Sequence, residues 1–133
     1  MKKTLKLLSC IALLTTAGCE YKAEVPLSAW ELWDKPGADT IDIGKALLEC
    51  GMPTPYYHDE YNRKLDGNAK ALIEACMVQA GFRYKSGYLS SCELFDPRFP
   101  ICRSGAVIPQ RSVKKRLNSP HCQINRNRPE CLP

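Results

Sequence analysis

A chain of 133 residues with eight cysteines and a formal charge of +5 has the size of one small domain. No stretch stays apolar for the ~20 residues a spanning helix needs. The basic surplus comes without a nucleic-acid recognition motif, so neither a membrane span nor a nucleic-acid partner is expected.

The chain opens with a basic head, Lys2, Lys3 and Lys6. Leu7 to Leu14 follows as an apolar stretch interrupted only by Ser9 and Cys10, and Thr15, Thr16, Ala17 and Gly18 are small or polar. This is the three-part pattern of a secretory signal. The run TAGC, ending at Cys19, resembles the lipobox of bacterial lipoproteins, in which small residues precede a cysteine. The resemblance covers residues 1–20. Ala17 and Gly18 fit it, and Thr16 stands where the pattern usually has leucine. It implies that residues 1–18 are removed and that Cys19 becomes an acylated N-terminus carrying palmitate-type chains. The domain would then be anchored to a bilayer in the bacterial cell envelope. Glu20, in place of the aspartate that signals inner-membrane retention in that class, implies the outer membrane. The alternative is ordinary cleavage after Ala17, with Cys19 left as a thiol.

Cysteine parity bears on the same point. With Cys10 lost alongside the signal, seven cysteines remain, an awkward number in an oxidising compartment. A thioether at Cys19 leaves Cys50, Cys76, Cys92, Cys102, Cys122 and Cys131, enough for three bridges. Residues 19–133 number 115, and only 23 of them are Leu, Ile, Val or Phe. So thin a core hardly overcomes chain entropy unaided, and disulfides are the usual remedy. Charge is uneven. Cys19 to Ala80 carries 11 acidic and 6 basic residues, and Gly81 to Pro133 carries 10 basic and 3 acidic ones. The two halves are expected to attract each other; a basic surface facing lipid phosphates or another anionic polymer is the sharper alternative.

Residues 19–28 are short and polar and read as a tether, with one globular domain over residues 29–133. Trp30 and Trp33, three apart, suit one face of a helical turn stopped by Pro36-Gly37. They either cap the core or make a contact at the membrane interface or with a partner. A helix is expected over residues 39–50, capped by Asp39 or Thr40, with Ile43, Ala46, Leu47 and Cys50 inward and Gly51 as its stop. Residues 51–67 form an ordered linker. A second helix spans residues 68–80, capped by Asn68 or Asp66, with Leu72, Ile73, Cys76, Met77 and Ala80 inward and Lys70 and Glu74 outward. Residues 82–90 suit a small hairpin turning at Ser86-Gly87. The remainder is rich in proline and cysteine and is expected to be irregular. Val113 and Leu117 allow a short amphipathic turn in RSVKKRL, which carries Arg111, Lys114, Lys115 and Arg116. Six cysteines allow 15 pairings. The local order Cys50–Cys76, Cys92–Cys102 and Cys122–Cys131 is favoured because it closes short loops and joins two antiparallel helices.

Catalytic and metal motifs are sparse. No C-x-x-C or H-E-x-x-H is present, and no metal or cofactor is expected. The chain has two histidines: His58, in the solvated run His58-Asp59-Glu60, and His121, beside Cys122. The expectation is a small, mainly α-helical, disulfide-stapled domain, with two antiparallel helices and an irregular C-terminal half. It acts as a non-enzymatic interaction module, with the bilayer as one partner through Cys19 and an envelope protein or anionic polymer as another. Trp30, Trp33, Arg111, Lys114, Lys115 and Arg116 are the candidate interaction residues, and no cleft is expected. The alternative is a small envelope enzyme, which calls for a pocket gathering a histidine or two carboxylates.

Overall fold

The computed structural model describes residues 28–56, 59–85, 89–95 and 98–133. The signal, the tether up to residue 27, His58 and the expected Ser86-Gly87 turn lie outside the described residues.

Local chemistry places the two main helices. Helix α1, Thr40–Glu49, begins with a reciprocal cap. The Asp39 carboxylate accepts the Asp42 N–H at 2.8 Å, and Asp42 accepts the Asp39 N–H at 3.1 Å. A single turn, α2, covers Glu60–Arg63 behind its Asp59 cap. Helix α3, Gly67–Gln79, starts at Asp66, which accepts the Ala69 N–H at 2.7 Å. Both long helices stop in the same way. Gly51 and Gly81 take φ of +104° and +92°, a conformation that strains any side-chain-bearing residue. Met52 N–H then bonds the Leu47 carbonyl at 2.9 Å, and Phe82 N–H bonds that of Met77 at 3.0 Å. Each closure turns an apolar residue back onto the core formed by Ile43, Ala46, Leu47, Ile73 and Met77.

The linker is ordered around Asn62. Its side-chain amide donates to the carbonyls of Thr54 at 2.9 Å and Tyr56 at 2.6 Å, and its oxygen accepts the Thr54 N–H at 3.2 Å. A buried amide thereby satisfies the groups of a loop that has no ladder of its own.

Residues 83–84, the described arm of the expected hairpin, take part in a longer-range pairing. Strand β1, Trp33–Asp34, pairs antiparallel with β2, Arg83–Tyr84, so that Trp33 faces Tyr84 and Asp34 faces Arg83. Trp33 therefore leaves the expected helical turn. Ala29–Leu32 forms a 3-10 turn holding Trp30, while Trp33 is buried and stacks on Tyr84 at 4.1 Å between ring centroids.

The C-terminal half is more helical than its prolines suggest. It contains α4 (Ser91–Phe95), α5 (Val113–Leu117) and α6 (Pro120–Ile124), with 3-10 turns at Pro100–Cys102 and Pro129–Cys131. Serine starts these pieces: Ser112 accepts from Lys115 N–H and Ser119 from Cys122 N–H. Pro120 sits in the first turn of its helix, where its missing N–H costs nothing. Three bridges, Cys50–Cys76, Cys92–Cys102 and Cys122–Cys131, close in the local order. The domain is thus mainly helical and disulfide-stapled. The Cys50–Cys76 bridge ties the C-terminal end of α1 to the last turns of α3.

Helix α1 lies between the two halves. It packs on α3 and the Ala29–Leu32 turn, and also on α5 and the Pro129–Cys131 turn. Leu48 accordingly belongs to a second small core with Cys122 and Cys131, and Glu49, beside it, is buried.

Candidate functional site

Two features concentrate polar chemistry, and they lie on different sides of α1. The first is an internal charge network. Glu49 Oε2 accepts from Arg116 Nε at 2.9 Å, and its Oε1 lies 3.3 Å from Arg111 Nε. Arg116 Nη1 donates onward to the carbonyls of Glu130 at 2.9 Å and Leu132 at 2.6 Å. One guanidinium therefore ties α1, α5 and the chain end together. Of the five ion pairs among the described residues, the two at Glu49 and Asp34–Arg83 join the acidic half to the basic one. The charge asymmetry is in part an internal attraction.

His121 completes the network from α6. Its ring is buried, and Nε2 lies 2.7 Å from Glu130 Oε1. With its proton on Nε2 it donates to the carboxylate, and Nδ1 faces the Asn125 amide 3.5 Å away. Burial acts to raise the Glu130 pKa, but it is outweighed by the residue's own backbone N–H, by the His121 hydrogen bond and charge, and by Arg128. The net effect holds the carboxyl below its ordinary 4.5. The unfolded chain then binds the proton more readily than the folded one, so stability is present above the unfolded value and is lost as pH falls through the folded one. Replacing Glu130 with Gln is expected to flatten this loss. Urea titrations below pH 4.5 should show a shallower dependence of stability on pH than in the parent; equal slopes would show that Glu130 does not carry the linkage.

The second feature is a cleft of about 270 Å³. Its floor is apolar, drawn from Ala29, Leu32, Leu47 and Ile73, and Leu89 and Leu94 stand at one wall. The α4 wall is held by the Cys92–Cys102 bridge and by Glu74. Glu74 Oε1 accepts the Tyr84 hydroxyl at 2.8 Å and the Ser91 hydroxyl at 3.0 Å, and Oε2 accepts the Ser91 N–H at 2.6 Å. The carboxylate is thus engaged across the chain rather than with Lys70 on its own helix. Lys70 and Arg63 are exposed, line the same cleft, and have no ion-pair partner among the described residues.

The candidate interaction residues separate accordingly. Trp33 and Arg116, each 3% exposed, are interior and hold the fold together. Trp30 is half-buried, edge-on to Tyr56 at 5.1 Å. Arg111 is partly exposed but paired to Glu49. Lys114 and Lys115 stand on the surface of α5. Val113 is 50% exposed, and Arg116 takes the inner side of the turn. The reason is that Glu49 and two chain-end carbonyls offer a buried cation what an apolar side chain could not use. Asp59 and Glu60 serve locally, capping α2 and pairing with Lys64. Among the described residues no three His, Cys, Asp or Glu side chains gather to hold a metal ion, and no helix is long and apolar enough to cross a membrane.

A cleft was not expected. Among the described residues it gathers one carboxylate, and its lining does not include His121. Its residues come from segments far apart in the chain. The one local signal was the Lys70/Glu74 pair, whose lysine-first order is the weaker one for a helix and leaves the acid free for Tyr84 and Ser91. Comparison with protein-family models, curated proteins and solved structures finds no match for the chain.

Proposed function

We propose that this chain is a membrane-anchored envelope lipoprotein whose stapled domain acts as a non-enzymatic interaction module near the bilayer. The observation that carries the reading is cysteine pairing. All six cysteines from Cys50 to Cys131 are taken by the three bridges, so Cys19 has no sulfur to join once Cys10 has left with the signal. An acylated Cys19 accounts for that residue without a free thiol. Two or three acyl chains, at about 0.8 kcal/mol per buried methylene, make release negligible.

The start of the domain fits a short tether. Ala29 is buried, and its N–H bonds the Pro55 carbonyl at 3.1 Å. The ten residues before it span at most about 35 Å, which keeps the domain close to the headgroups. Lys114 and Lys115 then suit lipid phosphates or another anionic surface. The hydrolytic alternative needs a base open to substrate. Both ring nitrogens of His121 face protein groups, which favours the binding reading.

Cys19→Ser tests the anchor. The parent is expected to take up radiolabelled palmitate and to fractionate with membranes. The variant is expected to lose the label altogether. Equal labelling and equal fractionation of the two forms would refute the proposal.

A further inference from the structure

The geometry points to the cleft between α3, β2 and α4 as a binding site for a single medium-length aliphatic chain ending in a carboxylate, the class of the free fatty acids. This goes beyond the anchor reading and stands without it.

The shape is the first argument. A dry apolar cavity of about 150 Å³ admits benzene, and this cleft holds about 270 Å³. If a methylene takes roughly the ~30 Å³ share of a water molecule, there is room for about nine carbons. The floor residues Ala29, Leu32, Leu47 and Ile73 offer such a chain no hydrogen-bonding group. Leu89 and Leu94, 62% and 56% exposed, lie at the wall, and contact with a ligand would remove them from water.

Charge fixes the other end of the ligand. The only acid among the described lining residues, Glu74, already accepts three hydrogen bonds from Tyr84 and Ser91. It keeps the wall in place and is not free to receive a cationic head. Arg63 and Lys70 are the opposite case: exposed, lining the cleft and without a partner among the described residues. An apolar trough with a few convergent polar groups is the usual form of a small-molecule site. Two cations beside it, with no ion-pair partner among the described residues, select an anionic amphiphile over a neutral or cationic one. Arg63 can take a carboxylate through two parallel N–H donors, with Lys70 adding a point charge.

The test uses fluorescence. The chain has two tryptophans, and Trp30→Phe leaves Trp33, a lining residue of the cleft, as the sole emitter. The full chain is isolated from cells, in nanodiscs if it travels with membranes and in buffer if it does not. It is titrated with 10-bromodecanoate, whose bromine quenches a nearby indole. Saturable quenching reversed by decanoate is expected, with decanol a much poorer competitor. The Arg63→Gln/Lys70→Gln double variant should bind about tenfold more weakly, as two exposed charge contacts imply. An unchanged thermal midpoint would show that its fold is intact. Quenching that rises linearly without saturating reports partition into lipid or a cleft filled by the chain itself, and overturns the assignment. Equal competition by decanol, or undiminished binding by the double variant, does the same. Stronger displacement by decyl phosphate than by decanoate overturns the choice of a carboxylate.

Discussion

Arg116→Met is expected to destabilise the folded domain by about 3 kcal/mol, read as a lowered urea midpoint at neutral pH. Removing one partner of a buried ion pair typically costs about 3–5 kcal/mol, because the remaining charge is left without compensation. Here that charge is Glu49, whose side chain is 9% exposed. Arg111 still faces its other oxygen at 3.3 Å, which places the cost at the low end. The chain-end carbonyls of Glu130 and Leu132 also lose their donor, so the Pro129–Cys131 turn should loosen and its amides exchange faster. The double variant Glu49→Leu/Arg116→Met should recover most of the loss, since replacing both members of a buried pair by apolar groups is often neutral or better. A single variant within 1 kcal/mol of the parent, on the scale on which surface changes fall, would mean that the pair is not buried as described.

The second large effect is expected from the Cys50→Ala/Cys76→Ala double variant. This bridge spans 26 residues, against 10 and 9 for the other two. In the chain-entropy account the stabilisation grows with the logarithm of the loop, giving about 3.5 kcal/mol for the longer loop and about 2.6 for the shorter ones. Both sulfurs also lie in the main core beside Leu47, Ile73 and Met77, so their removal leaves a void as well. Urea unfolding of the three bridge-deleted forms, compared under oxidising conditions, should rank this one least stable. If removal of Cys92–Cys102 is the most damaging instead, the cleft wall rather than the core carries the stability.

Helix ends illustrate what a short window of sequence can reveal. Asp39 and Asp66 cap their helices through residues three positions on, and Gly51 and Gly81 close them within one turn. The bridges were legible for a related reason: each joins cysteines close enough in the chain that loop closure is cheap. Glu49 shows the opposite case. This acid, one position from the apolar face of α1, carries no local signal for burial, yet it is buried because α5 and the Pro129–Cys131 turn cover that side. Arg116 reads as part of a basic surface run and lies inside for the same reason. Trp33 reads as a neighbour of Trp30 on one turn, but its partner, Tyr84, is supplied by a strand on the far side of α1 and α3 in the chain.

By itself, the amino-acid sequence determined the helical class, the stops of α1 and α3 and the opposition of an acidic half to a basic one, and it favoured the local pairing of sulfurs and narrowed each helix cap to two residues. These rest on contacts between near neighbours or on totals that no folding changes. Tertiary structure alone decided that Glu49 and Arg116 meet inside, that Arg83–Tyr84 pairs with Trp33–Asp34, and that an apolar cleft opens beside Arg63 and Lys70. Each depends on which distant segments come to share a surface, and the pattern of a single segment does not encode the neighbour that will cover it.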